Sequence, residues 1–255
     1  MIDAAARAKR VLKDNQITDI PALALKDISK SEGIRFALND YPMGLWDGTL
    51  LFKGDKRAIL INTHKGNAGR HNFTFAHELG HYFLNHQPNF NHDGQPIIRC
   101  TASDIDNNQK TREVEANLFA VELLMPEDSF RLYMAGAPID FELIGGLANR
   151  YMVSKHACSN HILGFTQAPC VIIRTNGINI TGFAFSRAAR GFLREMEILP
   201  HGTTAYTAVT EKRWDKDFTS CNTDKWLCRT IPGEAVYECT HFHRESGAAM
   251  TIIKW

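Results

Sequence analysis

The chain lacks three features that often settle a protein's class early: long apolar runs, an imbalance of charge, and closely paired cysteines. No run of about 18 apolar residues occurs, so nothing reads as a bilayer-spanning helix. The opening stretch, Met1-Ile2-Asp3-Ala4-Ala5-Ala6-Arg7, has no long apolar segment of the secretory type, and a reducing compartment, the cytoplasm, is expected. Lysine and arginine number 29 against 28 aspartates and glutamates, a net charge of +1. Bulk electrostatics therefore makes no case for nucleic acid or an acidic membrane surface. Six cysteines stand at 100, 158, 170, 221, 228 and 239, with no C-x-x-C pair among them. Without a signal segment they read as reduced thiols, mostly buried, rather than a disulfide framework. What is present is ordinary: 255 residues, 44% apolar and 22% charged, enough for one or two hydrophobic cores.

Periodicity divides the chain. Residues 2–14 and 21–30 pattern as helices, with Pro21 suited to a first turn and Gly33 to a stop. Residues 34–38 read as a strand. Residues 49–52 and 58–62 flank Lys53-Gly54-Asp55-Lys56-Arg57 as a hairpin. Residues 87–110 are rich in Asn, His, Asp, Gly and Pro and read as one long loop. Helices follow at 111–125, which Pro126 ends, and at 127–137. Residues 144–157 have a helix-turn-helix-like layout, with Ser154 capping its second helix. Beyond 168 the pattern becomes β-rich, with hairpins at 170–181 (Asn-Gly at the turn) and 236–253. The expected class is α+β, with divisions at 1–130, 131–166 and 167–255.

The stretch that carries chemistry is His77-Glu78-Leu79-Gly80-His81. On a helix, residues four apart share a face, so two imidazoles can close on one metal ion. Glu78, one residue on, can then act as general base toward a water molecule in the site. Asn72 or Thr74 can cap this helix and Pro88 marks its end. Phe75, Leu79 and Phe83 recur at fourfold spacing, which predicts deep burial. Gly80 costs a helix interior about 1 kcal/mol relative to alanine, a cost normally offset by close approach of a neighbouring backbone. Two histidines and a glutamate on a buried helix must be satisfied, and a metal would satisfy all three.

A catalytic zinc takes three protein ligands and leaves a position for water. Glu113 and Glu115, on the helix at 111–125, are both candidates for the third. Glu113 stands one turn before Asn117, flanking the Ala116/Ala120 face, where Asn117 could hydrogen-bond back to a metal-bound histidine or to the glutamate ligand itself; it is preferred. Glu115 aligns instead with Phe119 and Glu122. Both could also be solvated first-turn glutamates favoured by the helix dipole.

Phe73 to His81, followed at this separation by Glu113-Val114-Glu115-Ala116-Asn117-Leu118-Phe119-Ala120-Val121-Glu122-Leu123-Leu124-Met125-Pro126, resembles the ImmA/IrrE metallopeptidase family. The resemblance covers roughly residues 1–165. It implies a zincin-like domain, zinc as the metal, His77, His81 and Glu113 as its ligands, and Glu78 as general base. It further implies that the substrate is a transcriptional repressor, often of helix-turn-helix type, whose cleavage relieves repression in mobile-element or stress-response control. Some family members carry a sensory or regulatory C-terminal domain, but nothing at 167–255 names a ligand.

A different class of function is a non-catalytic regulatory module, with a structural zinc, that docks a repressor or DNA. With only Arg150, Lys155 and a few histidines to meet phosphates, the 144–157 helices are better read as covering the core than as binding DNA. His71, Tyr82, Arg70 and the loop histidines are candidate donors to an oxyanion, and the strand ending at Asn62, if it lies at a sheet edge, could take up substrate as an added strand. Cys239, His241 and His243 share one face of a strand, which reads as a packed face in preference to a second metal site.

Overall fold

A computed structural model describes residues 3–42, 46–64, 67–91, 94–100, 107–189, 193–215, 217–228 and 235–255, the side chains of 99–100 and 107–110 excepted. The chain forms two compact units, Met1–Ala135 with Gly145–Cys158, and Gly136–Ile144 with Ser159–Trp255. The class is α+β, as the sequence patterns predict.

The first unit begins with α1 (Ala4–Asp14), capped by the Asp3 carboxylate, and α2 (Pro21–Ser31), entered through its proline. Strands β1 (Ile34–Asn39), β2 (Gly48–Lys53) and β3 (Lys56–Asn62) follow, then α3 (Ala68–Phe83), β4 (Asn89–Phe90), β5 (Pro96–Cys100), α4 (Asn107–Leu124) and α5 (Glu127–Met134). The sheet runs β1-β3-β2-β5-β4, with β1 parallel to β3 and every other pair antiparallel. β2 and β3 form the expected hairpin, and Gly54 takes its positive φ of 56° in the two-residue turn. Leu50, Ile59 and Ile61 are buried in this sheet, and α3 and α4 contribute Phe75, Leu79, Phe119 and Leu123 to the core. Phe83 and Phe119 stack at 5.6 Å between centroids and join the two helices.

Three expectations are revised. The stretch 87–110 is not one loop: Pro96–Cys100 pairs with β2, and α4 already begins at Asn107, inside the span read as connection. A strand with only Ile97 and Ile98 apolar in polar surroundings gains its conformation from that ladder rather than from propensity. Helix α3 starts at Ala68, a turn before Asn72, with the Asn67 side chain accepting from the Arg70 amide at 3.1 Å. Gly69, which weakens the helical pattern, is there because a Cβ would collide with the Val153–Ser154 backbone. Finally, β3 lies between β1 and β2, so the strand ending at Asn62 has no free edge to offer a peptide.

Helices α6 (Phe141–Arg150) and α7 (Lys155–Phe165) occupy the helix-turn-helix-like stretch, and the Ser154 hydroxyl accepts from the Ala157 amide as a cap. The Arg150 guanidinium is held by Asp19 at 2.9 Å and lies over the Tyr133 ring, 4.0 Å from its centroid. It is therefore already committed within the protein.

The second unit contains β6 (Cys170–Asn176), β7 (Asn179–Phe185), α8 (Thr204–Thr210), β8 (Thr219–Asn222), α9 (Thr223–Trp226), β9 (Ala235–Phe242) and β10 (Ala248–Lys254). Its sheet, β7-β6-β10-β9-β8, is antiparallel throughout. Both predicted hairpins are present. The first turns at Gly177-Ile178, one residue later than an Asn-Gly turn, since Asn176 is the last residue paired. Val171, Ile173, Val209, Trp226, Val236 and Ile253 belong to the core of this unit. Cys239 is buried with its thiol donating to the Asp215 carbonyl at 3.4 Å, and His241 stacks on Trp214 at 4.5 Å, so this strand face is a packed one. Among the described residues no helix is long and apolar enough to cross a membrane.

Candidate metal centre

Helix α3 packs on α4 along a line where Gly80 meets Ala116. A Cβ on Gly80 would lie 3.1 Å from the Ala116 carbonyl oxygen and 3.2 Å from its Cα. The close approach expected of a mid-helix glycine is thus present, and it brings the polar faces of the two helices together. Successive helical residues are rotated by about 100°. With Ala116 facing α3, Glu113 and Asn117 fall on one flank of the contact and Glu115 on the other.

The three candidate ligands converge. His77 Nε2 lies 3.0 Å from Glu113 Oε2, His81 Nε2 lies 3.4 Å from Glu113 Oε1, and the two Nε2 atoms are 3.0 Å apart. Metal–ligand bonds of roughly 2.0–2.1 Å in a tetrahedral site would separate ligand atoms by about 3.3–3.4 Å, so this spacing suits one ion after only small adjustments. Among the described residues, this is the group of His, Cys, Asp and Glu side chains that could hold a metal. Glu115 is not in it. Its carboxylate meets His86 Nε2 at 3.1 Å, and His86 Nδ1 lies 2.8 Å from His81 Nδ1. Asn117 reaches back as expected, its Oδ1 2.9 Å from His77 Nδ1.

The charges within the cluster follow from these contacts. Burial disfavours a charged His77, yet the Glu113 hydrogen bond, the Glu78 and Glu113 charges and Asn117 outweigh it and raise its pKa. Burial dominates at His81, whose pKa falls to about 4 in spite of Glu113. Glu113 is also penalised by burial, but its contacts with the two histidine rings and their charge hold its carboxyl well below the usual carboxylate range. A His77 that takes up its second proton more readily than usual, a neutral His81 and an ionised Glu113 form a consistent set. A divalent cation would replace that proton with a stronger positive charge.

Glu78 is fully buried, with both carboxylate oxygens out of solvent. The first residue of β2 keeps room for it: a Cβ on Gly48 would sit 2.7 Å from Glu78 Oε1 and 2.5 Å from Thr74 Cγ2. Of the candidate oxyanion donors, the Tyr82 hydroxyl donates to Glu32 at 3.1 Å, and Arg70 pairs with Asp47. His86 lies behind His81. Sequence reasoning did not assign roles to Gly48 or His86, because neither belongs to a spacing motif; each is brought to the site by a strand pairing or a helix end.

A His-Glu-x-x-His helix under a five-stranded sheet, completed by a glutamate from a second helix, defines a zincin-like domain. The profile of the Peptidase_M78 family, the IrrE N-terminal-like domain, matches residues 33–162, and the chain belongs to that family. This places it among peptidases of a metal-dependent kind. A Mycobacterium tuberculosis transcriptional regulator has a similar fold, with a TM-score of 0.59 at 14% identity, over 100% of this chain and 88% of that one. No curated protein matches the chain.

Proposed function

We propose that this protein is a zinc-dependent endopeptidase that cleaves a transcriptional repressor, with His77, His81 and Glu113 as metal ligands and Glu78 as general base. The observation that carries this reading is the convergence of two imidazoles and one carboxylate beside a second, fully buried carboxylate. When bound there, zinc would acidify a water molecule and polarise the scissile carbonyl. A Glu78 carboxylate oxygen takes the proton from the attacking water and passes it to the departing amine nitrogen. Asn117 orients His77 by accepting its Nδ1 hydrogen, which turns the Nε2 lone pair toward Glu113 and His81. Family membership and a structural neighbour described as a transcriptional regulator support a repressor, of helix-turn-helix type, as the partner. The second unit, in this reading, has a sensory or regulatory role.

The test uses the full chain and any helix-turn-helix repressor found encoded beside it. The wild type should retain zinc near one per chain and cut such a repressor in a chelator-sensitive manner. Glu78→Gln should keep the zinc and lose cleavage by about 10²–10⁴-fold, the usual worth of a positioned acid–base group. Cleavage by Glu78→Gln at the wild-type rate would refute the assigned mechanism. Zinc without chelator-sensitive cleavage of any neighbouring repressor would instead favour a docking module with a structural metal.

A further inference from the structure

We propose that His86, held by Glu115, is a positioning residue that fixes His81 in the tautomer whose Nε2 lone pair faces His77 and Glu113. The inference rests on the reading of that group as a metal centre, and it assigns a role to two residues outside the ligand set. The support is built at the end of α3. Asn85 takes a positive φ of 54° just past the last helical turn, its amide donating to the Tyr82 carbonyl at 3.1 Å. The His86 amide donates to the His81 carbonyl at 3.0 Å. This paired bonding is a Schellman turn, which folds the chain back over the last turn of the helix. The His86 ring consequently meets the His81 ring edge-on, with centroids 4.9 Å apart.

Proton bookkeeping sets the direction. An ionised carboxylate only accepts, so the 3.1 Å contact with Glu115 places a hydrogen on His86 Nε2. The 2.8 Å Nδ1–Nδ1 contact has room for one hydrogen, and two protonated nitrogens would repel. With His86 donating through Nε2, its Nδ1 accepts, and the shared hydrogen belongs to His81 Nδ1. His81 Nε2 is then left as a lone pair aimed at Glu113 and His77. Asn117 does the same for His77, so each imidazole of the pair has its outer nitrogen engaged. The two supports come from opposite flanks of α4: Asn117 meets His77 of α3, and Glu115 meets His86 just past the end of α3.

The experiment measures zinc affinity of the full chain by chelator competition, with the tautomer of His81 read by long-range ¹H–¹⁵N correlation in the metal-free protein. His86→Leu removes the acceptor and should weaken zinc by about 10–100-fold, the usual cost of losing such a support. His86→Gln offers an amide oxygen to His81 and an amide N–H to Glu115, and should recover most of the affinity. Glu115→Ala frees His86 to reverse and should fall between the two. The wild-type spectrum should show His81 protonated on Nδ1. An Nε2-protonated His81, or equal loss in the Leu and Gln variants, would overturn the proposal, as would wild-type affinity in His86→Leu. If the wild type itself binds no zinc, it is the metal-centre reading that fails. Should His86→Leu not fold, the Gln variant and the wild-type spectrum still decide.

Discussion

Gly80 of α3 lies against Ala116 of α4 so closely that an added Cβ would stand 3.1 Å from the Ala116 carbonyl oxygen. The Phe119 ring is as near, at 3.2 Å, and Ala116 and Phe119 are both fully buried, with little freedom to retreat. The gain of helix propensity in Gly80→Ala, about 1 kcal/mol, is then outweighed by separation of the helices. The variant should lose about 1–3 kcal/mol of stability, as overpacked cores do, and bind zinc more weakly because Glu113 recedes from the histidines. Urea denaturation and chelator competition measure the two effects. A stabilised Gly80→Ala with unchanged zinc affinity would mean that the helices have slack here.

Zinc uptake should be coupled to pH. In the metal-free protein His77 has a pKa raised above its ordinary 6.5, so at and below that pH it carries a proton that a metal must displace. His81, with a pKa of about 4, has none to give up, and Glu113 is already ionised. Binding below about pH 6.5 therefore releases a proton from His77, and affinity weakens as pH falls through its raised pKa. Calorimetry in buffers of differing ionisation enthalpy counts the proton. An apparent enthalpy independent of buffer would contradict this assignment of charge.

The described cysteines should differ sharply toward thiol reagents. Burial pushes the Cys158 thiol up to about 12, and burial, aided by nearby carboxylates, pushes Cys221 and Cys239 to about 11. Cys170 is fully buried, while Cys228 is exposed. Since the thiolate is the reactive form, Cys228 should be alkylated first in the native protein, and Cys158 only on unfolding. Peptide mapping after a short iodoacetamide pulse at pH 8 resolves each site. Early modification of Cys158 would show that its surroundings open.

How much of this was legible in the sequence depended on whether a signal was local. The β2–β3 hairpin could be read because Gly54 and Asp55 fill a two-residue turn between apolar strands. A close backbone at Gly80 was expected from its place inside a helix, and helical spacing set Asn117 one turn from Glu113, but neither named Ala116 or His77 as the partner. The strand β5 could not be read, since it takes its conformation from pairing with β2, some 50 residues earlier. The parallel β1–β3 pair and the central place of β3 are likewise products of tertiary pairing. Glu113 and Glu115 were separable only by which flank of α4 each occupies. That depended on Ala116 being the contact residue, which periodicity allowed but did not require.

Gly48 should matter to catalysis although it has no side chain and no place in any motif. It opens β2 directly beside Glu78, and an added Cβ would stand 2.7 Å from Glu78 Oε1 and 2.5 Å from the Thr74 methyl group. Thr74 and Glu78 are both buried on the rigid α3, so the carboxylate would have to turn or the strand move. Gly48→Ala leaves His77, His81 and Glu113 untouched, and zinc content should remain near that of the wild type. Cleavage should fall by about 10–100-fold, because displacing a positioned group by about 1 Å is enough to cost that much. A kcat loss at preserved zinc occupancy supports the steric account. Loss of zinc would mean that β2 carries the displacement through to the ligands, and unchanged kcat would mean that Glu78 works from a position other than the one against Gly48.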